Sequence, residues 1–377
     1  MLREEAISEL QEKMLDIGIS PPASFIFDGR LRRFGKKKSS WYVLFEDEIR
    51  NKKFIGGAFG DWRLGGGDPL KINYRKIESD QNVNKDDLKE IHKRIKKARE
   101  AEALERALLQ EASAKVAKEI WKATSPISEA NLPKYLINKK IQNIQTKNLR
   151  VIDLGDLKDV LDQHGIENKI YPAGTALCVP MLINKNGKPY LSSIQVIFDD
   201  GFKMFLRGGR VENTYIKFGQ IKDNKPIYFA ESVSTGGSVF LSEDSAVICC
   251  FNASNLYKVV VDFRNLYPNK EFVICADNDQ FIPADWPEDK EYVNTGQKYA
   301  ELASQETDAI IATPMFKSLK NKPTDFNDLH CIEGLDMVKD QLEVDLSFYH
   351  DIQSSWTYHQ KLKEMSDSEN SGPLAQK

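Results

Sequence analysis

The chain has 377 residues, 41% hydrophobic and 29% charged, with 22 Gly, 15 Pro and 5 Cys; this predicts two or three folded units and excludes collagen-like, disulfide-scaffold and fully disordered classes. No stretch approaches the roughly 18 apolar residues that span a bilayer, and the acidic start (Glu4, Glu5, Glu9, Glu12, Asp16) lacks a secretory n-region, so no membrane partner and a cytoplasmic setting are expected. The net charge of −3, from 53 basic and 56 acidic residues, leaves nucleic acid open as a partner, because its electrostatic footprint is a local patch rather than a sum.

Residues 1–20 read as a short amphipathic helix ended by Gly18 and Pro21-Pro22. Residues 23–76 then alternate aromatic and polar positions, as in Trp41-Tyr42-Val43-Leu44-Phe45, with glycines at 56–57, 60 and 65–67. A small antiparallel module is expected there. Within it, Arg30, Arg32, Arg33, Lys36, Lys37 and Lys38 set six cations in nine residues, followed by Trp41, Tyr42, Phe59 and Trp62. Cations for phosphates and aromatic faces for bases compose a single-strand binding surface. The same residues also compose an ordinary soluble loop over an aromatic core.

Residues 85–124 contain no Gly or Pro. Apolar positions recur at Leu88, Ile91, Ile95, Ala98, Leu104, Leu108, Ala112, Val116 and Ile120, a helical stripe that predicts one long exposed helix. Its cluster His92 to Lys97 reads as a solvated face or as a phosphate contact. Farther on, Leu177 to Ile183 and Ser193 to Phe198 read as a hairpin closed by Asn184-Lys185-Asn186-Gly187. The cysteines at 178, 249, 250, 275 and 331 show no C-x-x-C spacing, and no zinc is expected.

From residue 227 the rhythm becomes strand–helix–strand. Ile227–Ala230, Ala246–Phe251, Glu271–Ala276 and Ala309–Thr313 are short apolar runs separated by helical stretches. Continuous apolar strands alternating with helices predict a parallel sheet covered on both faces. Ligands of such sheets bind beyond the carboxyl ends of the strands. Glu231 and the pair Asp277/Asp279 fall at that edge, and Asp325 and Asp328 follow in the loop after the fourth strand. Clustered carboxylates repel one another unless cations neutralise them, and oxygen ligands without His or Cys select Mg²⁺ or Mn²⁺. Helix capping and turn chemistry would also place Asp and Asn at such positions.

This arrangement resembles a known family. Glu231 with Asp277-Asn278-Asp279 is similar to the Toprim domain of DnaG-type primases, topoisomerases and some nucleases, and most closely to the Toprim primases of plasmids, phages and other mobile elements. The matching segments are Ala230-Glu231-Ser232, Phe251 to Leu256, Ala276 to Asp279, Asn294-Thr295-Gly296 and Thr324 to Leu329. Upstream, Asp28-Gly29-Arg30 through Gly57 to Arg63 resembles the N-terminal module of those primases, and Phe202 to Arg210 resembles the basic segment before their Toprim unit.

The resemblance implies an α/β protein: a Toprim-type parallel sheet with flanking helices, preceded by a mixed α/β subdomain, a long helix and a small β-rich module. The expected segments are 1–80, 81–125, 126–222, 223–345 and 346–377, the last a C-terminal helix and flexible tail. It further implies RNA primer synthesis on single-stranded DNA from nucleoside triphosphates. Glu231 would be acid/base or metal-linked, and Asp277, Asp279, Asp325 and Asp328 would hold Mg²⁺ or Mn²⁺. Lys203, Arg207 and Arg210 would hold triphosphate or template backbone, although they also read as solvent-facing residues. No Walker A pattern occurs, so a separate replicative helicase is expected as partner. The chain departs from the family at Ser232, Asn252 and Ser254, where Gly or Asp is common. Two other readings stay open: a Toprim nuclease or topoisomerase, and a non-catalytic single-strand-binding replication factor.

Overall fold

The computed structural model describes residues 2–35, 38–49, 52–61, 70–77, 85–144, 146–170, 173–284, 286 and 292–370. Among them, nine α-helices and fourteen strands in three sheets make a mixed α/β protein. The chain divides into two units, residues 1–108 with 282–295, and residues 109–281 with 296–377.

In the first unit, α1 (Leu2–Asp16) buries Leu2, Ala6, Leu10 and Met14, an i, i+4 stripe that forms one face of a helix. It ends where Gly18 takes φ +76°. There the Gly18 N–H donates to Leu15 O at 2.9 Å and the Ile19 N–H to Met14 O at 2.8 Å, a Schellman cap that only a residue at ease with positive φ closes cheaply. The stripe packs with Tyr42, Leu44, Ile55, Phe59 and Tyr74 of an antiparallel sheet. Its strands run in chain order: β1 (Arg32–Phe34), β2 (Ser40–Ile49), β3 (Lys52–Asp61) and β4 (Leu70–Ile77). Tyr74 donates its hydroxyl to Glu9 at 3.0 Å, and Lys76 pairs with Glu5 and Glu9, which fixes the helix along β4. The antiparallel module expected from residues 23–76 is therefore present.

The predicted long helix is α2 (Lys85–Ala123). In the second unit its last turns bury Val116, Ala117 and Ile120 against an antiparallel sheet. That sheet runs β5 (Ser125–Pro126), β6 (Arg150–Asp153), β7 (Thr175–Lys185), β8 (Lys188–Ile197) and β9 (Lys203–Phe205). The β7–β8 hairpin is the one read from Asn184 to Gly187. Between β5 and β7, α3 (Lys134–Asn138) and α4 (Leu154–Gln163) cover opposite faces.

The third sheet has the order β10 (Ile216–Phe218), β12 (Val247–Cys249), β11 (Ile227–Ala230), β13 (Phe272–Cys275), β14 (Ile310–Ala312). The last four are mutually parallel and β10 is an antiparallel edge. α6 (Ala253–Leu266) and α7 (Thr295–Thr307) cover one face with Leu256, Val260, Phe263, Ala300 and Ala303. The other face is covered by α5 (Val233–Glu243), α8 (Phe326–Glu333) and α9 (Leu335–Asn370) with Val239, Phe326, Leu329, Val338 and Leu342. Apolar residues on both sides are why these strands read as unbroken runs. Among the described residues no helix is long and apolar enough to cross a membrane.

Candidate metal centre

After β11 the chain leaves for one face of the third sheet through α5, whereas after β13 it leaves for the opposite face through α7. Neighbouring strands whose connections diverge in this way open a crevice at their carboxyl ends. Ala230 and Cys275 are register partners, so Glu231 lies one residue past that pair on β11 and Asp277 two residues past it on β13. The helices after β11 and β12 are capped where they start. Ser232 Oγ accepts from Thr235 N at 3.1 Å and Asn252 Oδ1 from Asn255 N at 2.9 Å. Asn278 N donates to Thr324 O at 2.7 Å, which brings the loop carrying Asp325 to the same edge. Asp325 caps α8 through Asp328 N at 2.7 Å.

The electrostatics are those of a site short of positive charge. Glu231, Asp277 and Asp325 keep only part of their surface open to solvent. Burial, reinforced by the carboxylates of Asp279 and Asp325, pushes Glu231 up to about 8; Lys203 and the Ala253 N–H at the start of α6 oppose the rise. Burial and then Glu231, Asp325 and Asp279 drive Asp277 well above the usual carboxylate range. Asp325 is raised by burial and by Asp328, with relief from the Asp328 N–H and Lys139. Lys203 is exposed along β9, yet protein crowding around it lowers its pKa, against the pull of Asp325 and Asp277. One further detail is specific: Asp277 Oδ1 is buried without a hydrogen-bond partner. A buried carboxylate oxygen in that state is costly unless a cation completes it.

The donor set fits Mg²⁺ or Mn²⁺, hard ions that favour oxygen. Among the described residues no three His, Cys, Asp or Glu side chains converge on one ion-sized position. Mg²⁺ commonly retains waters and takes only one or two carboxylates together with substrate phosphate. The arrangement suits an ion shared with a substrate better than a closed structural cage.

The crevice brings together five of the residues singled out in the sequence: Glu231, Asp277, Asp279, Asp325 and Lys203. Asp328, expected as a further metal ligand, lies beside this cluster and acts on Asp325. Its Oδ2 accepts from Thr324 N at 3.0 Å and its Oδ1 faces Lys139 Nζ at 3.9 Å, so it closes the turn before α8. Arg207 and Arg210 are not among the largest influences on the carboxylates. Arg207 faces Glu167 at 3.9 Å, and Arg210 Nε donates to Glu212 O at 2.7 Å. In the first unit, Arg30, Arg33 and Lys38 are exposed and Arg32 pairs with Asp28. Trp41 is only 6% exposed, which leaves its ring no open face for a base, contrary to the sequence expectation. Lys36, Lys37 and Trp62 lie outside the described residues, as does the tail 371–377.

Sequence reasoning missed Lys139 as a part of this site, since nothing distinguishes it there from many other lysines. The structure places it at the C-cap of α3, where Asn327 Nδ2 donates to its carbonyl at 2.7 Å. Gly296 sat in a recognised segment, but its reason is visible only here. A Cβ at Gly296 would stand 2.2 Å from Asp277 O and 3.1 Å from Glu231 Oε1, and its N–H donates to Asp279 Oδ2 at 3.3 Å. Gly296→Ala is expected to displace the Asp277 backbone and cost at least about 1–3 kcal/mol of stability, as overpacking does; urea unfolding measures it.

No family model, no curated protein and no solved structure matches this chain.

Proposed function

We propose that the chain is a Toprim-type DNA primase that makes RNA primers on single-stranded DNA by metal-dependent nucleotidyl transfer. The observation that carries this reading is the meeting of Glu231 with Asp277 and Asp279 at the carboxyl ends of adjacent parallel strands, beside Asp325, Lys203 and Lys139.

In this reading Asp277 and Asp279 hold Mg²⁺ or Mn²⁺, with Glu231 and Asp325 completing the negative field. The bound metal supplies neutralisation of the triphosphate and acidification of the attacking hydroxyl. Glu231, poised near neutrality, accepts the 3′-hydroxyl proton as general base. The 3′-oxygen forms its bond to the α-phosphorus while the bond to the β-phosphate oxygen breaks, and pyrophosphate leaves. Lys203 and Lys139 bind the phosphates as fixed cations. The exposed Arg30, Arg33 and Lys38 supply template contacts, and a separate helicase opens the duplex. Asn252 does not weaken this reading, because its side chain is used to cap α6 and is not among the groups that set Glu231.

The test is primer synthesis from nucleoside triphosphates on single-stranded templates with Mg²⁺ or Mn²⁺. Wild type is expected to yield short oligoribonucleotides, and Glu231→Gln to lower the rate about 10²- to 10⁴-fold. Absence of product on every template, with cleavage of labelled DNA instead, would establish the nuclease reading. Replication support in the cell that survives loss of both Glu231 and Asp277 would establish the non-catalytic one.

A further inference from the structure

Beside the edge strand β9 the second unit holds a cavity of about 630 Å³, within the 300–1,000 Å³ typical of small-ligand sites. Its floor continues the apolar core of the antiparallel sheet through Leu154, Leu161 and Met204. Its mouth is different. Phe202, 63% exposed, stands there with its ring 5.8 Å from that of Phe198. Lys169 and Arg207 reach the same rim, together with Glu167 and Asp200. Asp200 is engaged by the Phe202 N–H at 2.9 Å. The Arg207–Glu167 pair is long, 3.9 Å, and both side chains are largely exposed, so breaking it costs little.

An open aromatic ring with cations beside it is the combination that holds a base by stacking and its phosphate by charge. The position of β9 strengthens the argument. The strand sends Lys203 into the carboxylate crevice, while Phe205, two residues on, lines the cavity. Phe205 also meets Phe251 edge-on with ring centroids 6.5 Å apart, and Phe251 directly precedes the cap of α6. From Lys203 to Arg207 the chain spans at most about 14 Å. The cavity and the carboxylate crevice are therefore joined through one short strand.

We infer that the cavity beside β9 is a nucleobase site, with Phe202 stacking on the base and Arg207 and Lys169 engaging its phosphate. The inference rests on the nucleotidyl-transfer reading for its biological role. The occupant is either a free mononucleotide or a base of a bound strand, which share this chemistry.

The full chain is titrated calorimetrically in EDTA with adenosine monophosphate, hexadeoxyadenylate and ribose 5-phosphate. Without metal, the crevice contributes little and the cavity is read alone. A base-containing probe is expected to bind and ribose 5-phosphate to bind far more weakly. Phe202→Ala is expected to weaken the base-containing probe about 5- to 150-fold, the range that base stacking carries, and Arg207→Ala to weaken it as well. Both residues are exposed, so both variants should keep the wild-type circular dichroism. Tighter binding of the monophosphate assigns the cavity to the free nucleotide, and tighter binding of the hexamer assigns it to the strand. No binding of either, or binding untouched by both substitutions, overturns the inference. Primer synthesis is scored separately: its absence with binding intact contradicts the primase reading and leaves the nucleobase site standing.

Discussion

Asp277→Asn is expected to make the metal-free protein more stable while removing its metal-dependent activity. Most substitutions at a buried polar position destabilise, so the sign is diagnostic. In the native protein the Asp277 carboxylate is held in crowded surroundings among Glu231, Asp325 and Asp279, and one of its oxygens has no hydrogen-bond partner. Asn has nearly the same shape and no charge, and it removes the repulsion that Glu231, Asp325 and Asp279 exert at this position. For a domain of this size each kcal/mol of relief raises the melting temperature by about 2–4 °C. Differential scanning fluorimetry in EDTA should show that increase, and primer synthesis should fall about 10²-fold or more. A variant that melts lower in EDTA than wild type would show that the carboxylate is held by interactions it needs, and would contradict the charge-deficient site described above.

The second large effect concerns pH. Burial raises Glu231 from 4.5 to about 8, with further repulsion from Asp279 and Asp325, and burial likewise raises Asp277 and Asp325. Between about 4.5 and about 8 the native state therefore binds more protons than the unfolded chain, so metal-free stability falls as pH rises through that window. Mg²⁺ bound to the ionised carboxylates would reverse the trend. At about 100 times its dissociation constant a ligand adds about 2.7 kcal/mol. The melting temperature in EDTA is expected to drop from pH 5 to pH 8, and added Mg²⁺ to restore several degrees at pH 8 and almost none at pH 5. Equal Mg²⁺ stabilisation at both pH values would count against metal binding by these groups.

The parts of this fold that were legible in the sequence are those with a strong local signal. α1 shows its buried face as Leu2, Ala6, Leu10 and Met14 and its end as Gly18. α2 shows a long stripe without Gly or Pro. β11 and β13 appear as apolar runs that stop at carboxylates, and the rule that parallel sheets bind ligands at their carboxyl ends then places Glu231 and Asp277. Short elements such as β5 and β10, two and three residues long, carry no periodicity and exist only through their neighbours.

What was not legible has the same origin. Arg207 and Arg210 are close to Lys203 along the chain, but the chain leaves β9 after Phe205, and they meet Glu167 and the Glu212 carbonyl instead. Tyr42 and Trp41 alternate across β2, and both prove buried, so an aromatic pair that suggested a stacking surface is mostly interior. Lys139 reaches the crevice through the end of α3 and the hydrogen bond from Asn327, a tertiary placement that no local pattern announces. Asp328 was legible as acidic and nearby, but its bond from the Thr324 N–H, which closes the turn before α8, was not.

The carboxyl ends of β11 and β13 are proposed to form a divalent-metal site. Electron paramagnetic resonance of Mn²⁺ titrated into the full chain tests it most directly, by counting free ion. Wild type is expected to bind Mn²⁺ at a site that Mg²⁺ competes for and that Asp277→Asn abolishes, with the effect weaker in Asp328→Asn. A wild-type chain that leaves all Mn²⁺ free, or an Asp277→Asn variant that binds it as wild type does, would contradict the account.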